Sequence, residues 1–402
     1  MKHPIAITGT SAISALGSST EAYKEAKHHL IFDQDLKTWV GKLPENVQNS
    51  VEELRNATRN YQSLDSSVLY AIFTSREAVK QAGWGQGSSF GINIGSSRGA
   101  TQLFEKYYSA YTKEQKSSTL ASPTTTLGNI SSWVAQDLQN YGPEISHSIT
   151  CSTALHSLLN GVAWLQSGMC NKFLVGGSEA ALTPFTIAQM QAMKTYSRAN
   201  TKSDYPCRAF DLEKTENTMV LGEGSASVCL EIGEKENALA YVSGIGYATE
   251  KLKHAVSISA EAECFQKSMK MAVNDALGRN STNDQETSAP TSTAGRSAEV
   301  EVDAIVMHAP GTILGDSSEF KAIQAIFGND MPLLTTNKWN IGHTFGASGL
   351  LSLDLALHML QMQEFIEVPF ISPQGKKKKI NTVLVNAVGF GGNAVSVLLR
   401  KA

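Results

Sequence analysis

Cys151 is the residue whose type and setting promise chemistry. It stands in Ser148-Ile149-Thr150-Cys151-Ser152-Thr153-Ala154, between a short half-polar run over 145–150 and a helical repeat of Ala154, Leu155, Leu158, Leu159, Val162 and Leu165. That order places the thiol on a strand-to-helix turn, at the first position of a largely buried helix. Unpaired amide N–H groups and the positive end of the helix dipole favour a thiolate there, so its pKa is expected to fall. Such a turn is built like a nucleophile elbow with sulfur in place of a hydroxyl. A free cysteine also serves as plain core filling, so the rest of the chain has to decide.

The elements that would position other reactive groups follow in order. Residues 5–10 read as a strand running into a glycine turn, 20–26 as a helix, and 67–83 as a clear amphipathic helix. The stretch 32–63 has weak periodicity and is expected to wander over the surface. Leu103, Phe104, Tyr107, Tyr108 and Tyr111 form an aromatic stripe at helical spacing, suited to core or dimer contact. After a strand at 173–179, the runs 206–211 and 219–231 read as a hairpin joined through glycines. A second round begins with a strand at 240–245 and a helix over 262–276. A strand at 302–307 delivers His308, and 333–338 leads through Lys338 to Gly342-His343 and a leucine-rich helix. Strands at 382–388 and 394–400 close on Gly389-Phe390-Gly391-Gly392. Strand, reactive loop, buried helix, hairpin occurs twice, which is a duplicated domain with its boundary in the charged stretch 233–237. The Ser/Thr-rich segment 281–298 is read as an exposed insertion. His156 and His358 fall within helices and are read as structural; His28 and His29 are read as solvated.

Bulk properties narrow the class. The chain has 402 residues, 42% apolar and 18% charged, with a net charge of -3. That suits a soluble globular protein and offers no general reason to bind nucleic acid or membrane. No basic-plus-apolar leader opens the sequence and no run of eighteen or more apolar residues would span a bilayer. Five scattered cysteines without Cys-x-x-Cys spacing argue against disulfides and zinc, and for the reducing cytoplasm.

Taken together, the motifs resemble those of the β-ketoacyl-acyl carrier protein synthases, condensing enzymes of the thiolase-like superfamily. Thr150-Cys151-Ser152-Thr153-Ala154 is similar to their nucleophile motif. His308-Ala309-Pro310-Gly311-Thr312 with Gly315-Asp316 and Glu319 is similar to the first histidine motif. Lys338 with Gly342-His343 and Gly346-Ala347-Ser348-Gly349 resembles the lysine and second-histidine motif. Gly222-Glu223-Gly224 and Val388-Gly389-Phe390-Gly391-Gly392-Asn393 match two further signatures, all in the family's order.

The resemblance implies an α/β thiolase-like fold with duplicated halves, 1–236 and 237–402, in a five-layer αβαβα arrangement. It implies a 3-oxoacyl-[acyl-carrier-protein] synthase that holds an acyl group on Cys151 and condenses it with malonyl carrier protein, in fatty acid, polyketide or aryl polyene synthesis. His308 and His343, as neutral imidazoles, would stabilise the enolate formed by decarboxylation. Lys338 and Glu319 would form a buried ion pair orienting them, and the N–H groups of Cys151 and Phe390 would make the oxyanion hole. Thr312, Gly391 and Gly392 would contact substrate. No metal or bound cofactor is implied; the phosphopantetheine arm arrives on the acyl carrier protein. The partner in assembly would be a second copy or a chain-length-factor-like subunit.

Departures from the pattern bear on the carrier arm. Ala309 and Pro310 stand where glycine and threonine are usual, leaving Thr312 alone to bind pantetheine, and the C-terminal turn lacks another threonine, since Asn393 follows Gly392 directly. Trp339, in place of a small residue, is expected to narrow or reshape the entrance. An acidic carrier protein needs a basic landing patch, for which Lys376–Lys379 and Lys194, Arg198 and Lys202 are the candidates. A non-catalytic chain-length-factor-like subunit is the alternative reading. Cys151 and both histidines argue against it, because such subunits typically lose the nucleophile. A degradative thiolase would carry a second cysteine near the C-terminal glycine turn, and a papain-like protease a different setting for Cys151.

Overall fold

Two leucine-rich runs occupy the centre of the molecule as helices Thr153–Gln166 and Ser348–Met362. The second is buried at every position from Ser348 to Leu360, as a helix apolar on all sides must be. The two pack directly on each other. Gly349 permits this, since a Cβ there would lie 2.7 Å from Leu155 Cγ. The computed structural model describes residues 1–85, 87–127, 129–252, 258–279, 301–374 and 379–402.

The helices lie against a ten-stranded sheet made of two five-stranded units. The first comprises Ile5–Ile13, Gly91–Gly95, Glu144–Ile145, Lys172–Glu179 and Gly224–Ile232. The second comprises Ala240–Thr249, Ala304–Val306, Leu333–Thr335, Thr382–Gly389 and Asn393–Lys401. Numbered along the chain within its unit, each has the lateral order 3-2-4-5-1. In each, strands 2, 3 and 4 are parallel and strand 5 runs against both its neighbours. The units join through their first strands, in the antiparallel pairs Ile5–Val242, Ala6–Tyr241 and Ile7–Ala240. Helices Ser66–Gln81 and Asn129–Asp137 cover the outer face of the first unit, and Glu263–Ala276 and Ile313–Phe327 that of the second. With the central helices this makes the α/β thiolase-like arrangement of five layers.

Several local expectations need correction. The stretch 32–63 is structured: Ile31–Asp33 pairs with Thr38–Gly41, and Glu45–Ala57 is a helix burying only Val47, Val51 and Leu54. Three buried apolar residues in thirteen leave too narrow a stripe to stand out from the polar ones. Residues 206–211 and 219–231 do not form a hairpin. Leu221–Gly222 pairs in parallel with Val40–Gly41, while Gly224 onward joins the large sheet. Alternation reveals a strand but not its partner. The helix expected at 20–26 is a single 3-10 turn, Thr20–Lys24. His28 and His29 are partly buried: His28 meets Trp39 edge-on at 5.5 Å, and His29 Nδ1 lies 2.7 Å from Asn340 Oδ1. The proposed insertion at 281–298 and Lys376 to Lys378 lie outside the described residues. Among the described residues no helix is long and apolar enough to cross a membrane.

Candidate active site

The chain bends sharply into Cys151. Thr150 has φ +45°, a left-handed conformation that a β-branched residue rarely adopts, costing about 1–3 kcal/mol. Thr153 holds the bend: its Oγ1 donates to the Thr150 carbonyl at 2.6 Å and accepts from Ile149 N at 2.8 Å. Ser152 is the N-cap, so Cys151 lies just outside the helix rather than at its first position. The thiol pKa is not lowered. Burial pushes it up to about 12, with the nearby Glu179 charge adding to the rise; Lys338 and Arg98 pull the other way. Helix-terminus reasoning captured the direction of the dipole and missed the larger desolvation effect.

The second unit supplies the imidazoles. His308 follows strand Ala304–Val306. The next residue, Ala309, has φ +24°, which explains the usual glycine there. The backbone N–H groups of His308 and Ala309 donate to Glu319 Oε1 and Oε2 at 2.9 and 2.8 Å, and Asn386 Nδ2 donates to Oε1 at 3.1 Å. Asp316 fastens the same loop, accepting from Gly311 N at 3.0 Å and Phe210 N at 2.8 Å while pairing with Lys214 at 2.7 Å. His343 is anchored by its own N–H to Val220 O at 2.7 Å and by Gly222 N donating to its carbonyl at 3.0 Å. The two rings meet edge-on with centroids 5.3 Å apart.

Electrostatics keeps both imidazoles neutral. Burial, then the Lys338 charge, lowers His343 to about 3 and His308 well below its ordinary value. The Nδ1 atoms of both are buried without a hydrogen-bond partner. Lys338 is itself buried, and desolvation lowers it to about 8. It does not form the expected ion pair with Glu319. Its Nζ donates to Ser352 Oγ at 2.9 Å, because Glu319 is occupied by backbone N–H groups. The two charges still act on each other through space; burial nevertheless raises Glu319 to about 7.

Cys151, His308, His343 and Phe390 line one cavity of about 420 Å³, together with Met190, Met193, Met219, Ile258, Leu314 and Phe345. Thr195, Asn217 and Thr312 supply polar wall. Phe390 is half-exposed on the turn between the last two strands. Its carbonyl accepts from Thr150 Oγ1 at 3.5 Å. Gly389 must be glycine, since a Cβ would sit 2.1 Å from Thr150 Oγ1. Gly391 and Gly392, at φ +100° and +70°, shape this turn and are absent from the cavity wall. Thr312 caps helix Ile313–Phe327 by accepting from Gly315 N at 3.2 Å, which leaves its hydroxyl hydrogen for another partner. Trp339 does not reshape the entrance. It is buried against Tyr205 and Phe370, with ring centroids 6.2 and 6.3 Å away.

The methionines and Phe345 escaped sequence reasoning; the spacing of Met190 and Met193 was the available signal. Among the described residues no group of three or more His, Cys, Asp or Glu side chains is arranged to hold a metal.

Comparisons with known proteins agree with this geometry. The family model described as "Beta-ketoacyl synthase, N-terminal domain" matches residues 6–236, and that described as "Beta-ketoacyl synthase, C-terminal domain" matches 278–369. The chain is 26% identical to "3-oxoacyl-[acyl-carrier-protein] synthase 2" of Coxiella burnetii, covering 100% of this chain and 99% of that one. Its fold is similar to the crystal structure of a beta-ketoacyl synthase from Burkholderia phymatum STM815, with TM-score 0.83, 19% identity and full coverage of both chains. It is also similar to a chain from a type II PKS acyl-carrier protein in complex with its ketosynthase bound to the hexaketide, with TM-score 0.82, 17% identity and full coverage of both.

Proposed function

Because the chain belongs to the beta-ketoacyl synthase family, we propose that it condenses a Cys151-bound acyl group with a malonyl thioester carried by an acyl carrier protein. The reading rests on one observation: a thiol and two neutral imidazoles wall a single cavity. Acylation forms a bond from Cys151 Sγ to the acyl carbon and breaks the bond to the pantetheine sulfur, which departs with the thiol proton. With its pKa at about 12, Cys151 is no standing thiolate, and its proton passes to the departing pantetheine sulfur as the C–S bond breaks. The N–H groups of Cys151 and Phe390 hold the tetrahedral oxyanion.

Malonyl decarboxylation then leaves its electron pair on the thioester enolate. His308 and His343 each offer Nε2–H to the enolate oxygen, and their low pKa values keep them donors that do not hand over the proton. The carbanion attacks the acyl carbonyl on Cys151, the C–S bond breaks, and the sulfur recovers a proton. The Lys338 charge helps keep the imidazoles neutral, and Glu319 holds the backbone of His308 and Ala309. Thr312 offers its hydroxyl to the pantetheine arm.

The exposed Lys194, Arg198 and Lys202 lie on the segment that also contributes Met193 and Thr195 to the cavity wall. That supports this patch as the landing site for an acidic carrier protein. Division of the chain at 236/237 is supported by the change of sheet unit there and by the end of the first family match. A second synthase-like chain, identical or not, is the proposed partner in assembly.

The test is incubation with acyl and malonyl carrier proteins, followed by mass spectrometry. Cys151→Ala should abolish acyl transfer; undiminished acylation would point to another nucleophile. His343→Ala should leave acylation largely intact while stopping condensation.

A further inference from the structure

Glu179 ends the strand Lys172–Glu179 and is completely buried. Its carboxylate faces no lysine or arginine head group within ion-pair distance among the described residues; it binds backbone N–H groups and the Ser96 side chain. Ser97 N and Gly346 N (3.1 Å) donate to Oε1, and Arg98 N donates to Oε2 at 3.3 Å. Ser97 and Arg98 follow the strand Gly91–Gly95 of the first unit. Gly346 belongs to the turn after His343 in the second. One carboxylate therefore ties the two units together beside the cavity.

What it holds is a strained segment. Phe345, next to Gly346, has φ +43°, and its ring forms cavity wall. That ring lies 5.7 Å from His343, and the Arg98 guanidinium sits 5.4 Å over it. The following turn is tied again where Ser348 Oγ donates to the Cys151 carbonyl at 3.5 Å. The residue at 346 must be glycine for the clamp to close, since a Cβ would lie 2.6 Å from Glu179 Oε1 and 2.7 Å from Ser97 N. A conformation this unfavourable persists only where its surroundings over-determine it.

We infer that Glu179 is a positioning residue for condensation, fixing Phe345 and the His343 turn by clamping the backbone of Ser97, Arg98 and Gly346. Its charge also bears on the nucleophile. Arg98, Lys338, His308 and His343 are the other titratable groups around this end of the cavity. Of the acidic groups, Glu179 opposes ionisation of Cys151, whereas Lys338 and Arg98 favour it.

The inference rests on the proposed condensing activity, and the experiment separates the two. Glu179→Gln keeps the size of the side chain but puts an amide donor against backbone N–H groups. Gly346→Ala breaks the same clamp from the other side. Each variant is expected to lower condensation kcat by about tenfold or more, with the KM for malonyl carrier protein and the acylation of Cys151 within about threefold of the parent. The double variant should fall no further than the worse single one. Independently of any carrier protein, the pH midpoint for iodoacetamide alkylation of Cys151 should move down in Glu179→Gln. A parent protein that fails to condense removes the activity reading and leaves the alkylation midpoint to judge Glu179. Parent-like condensation in both single variants, multiplied losses in the double variant, or an unmoved midpoint would each overturn the clamp.

Discussion

The two halves of the site are held by different physics. In the first unit the proposed nucleophile, Cys151, is aimed by local backbone strain at Thr150, braced within five residues by Thr153. In the second, His308 is aimed by buried carboxylates that bind the backbone from a following helix, Glu319 through the N–H groups of His308 and Ala309 and Asp316 through those of Gly311 and Phe210. A nucleophile must present one atom at one angle, which a tight turn achieves alone. Two imidazoles proposed to share one oxygen need their backbones fixed relative to each other, which requires partners distant in sequence.

That contrast can be broken from either side. The largest effect is expected from Glu319→Ala, which leaves two backbone N–H groups and Asn386 Nδ2 without their acceptor. A loss of about 3 kcal/mol in urea unfolding and a collapse of condensation are expected, while acylation of the surviving folded protein persists. Equal damage to both half-reactions would erase the distinction drawn here. Next comes Thr153→Val, which preserves shape but removes the brace at the elbow. About 2 kcal/mol of stability should go, with acylation slowed more than the decarboxylation of malonyl thioester by pre-acylated enzyme.

The smallest effect is in the pH dependence of unfolding. His343, with a folded pKa of about 3 against an ordinary 6.5, contributes stability above pH 6.5 that is lost as pH falls toward 3. Glu319 and Glu179, raised to about 7 from 4.5, act oppositely: their contribution is complete below 4.5 and is lost as pH rises through 7. The two trends offset each other between 4.5 and 6.5. Below 4.5 those two carboxylates no longer contribute and the imidazole limb dominates, His308 acting in the same direction as His343, which alone adds a slope of up to about 1.4 kcal/mol per pH unit. His343→Gln should flatten that limb in denaturant titrations between pH 4.5 and 3, and an unchanged limb would mean the ring is not held neutral by the fold.

The comparison also separates what was legible in the sequence from what was not. Cys151, His308 and His343 were readable because the first stands between a half-polar run and a helical repeat, the second ends an apolar run, and the third follows Lys338 and Gly342 and precedes small residues and a leucine-rich helix. The duplicated plan was readable because strand and buried-helix signals recur. Electrostatic detail was not. The thiol was expected to be acidic from its place near a helix start, but burial depends on residues such as Phe345 and Met219, far off in the chain. The Lys338–Glu319 pairing failed for a similar reason: nothing local reveals that backbone N–H groups already occupy the carboxylate. Glu179 was seen only as the end of a strand, its backbone partners lying about 80 and 167 residues away.

The seam between the two sheet units carries a consequence for biosynthesis. Strand Ile5–Ile13 leaves the ribosome long before its neighbours in the finished sheet, Gly224–Ile232 and Ala240–Thr249. More than two hundred residues must be translated before either of its hydrogen-bonding edges can be satisfied. A nascent chain halted before that point exposes an apolar ribbon with two open edges, a template for intermolecular pairing. Chaperone dependence during synthesis should therefore track the arrival of those two later strands.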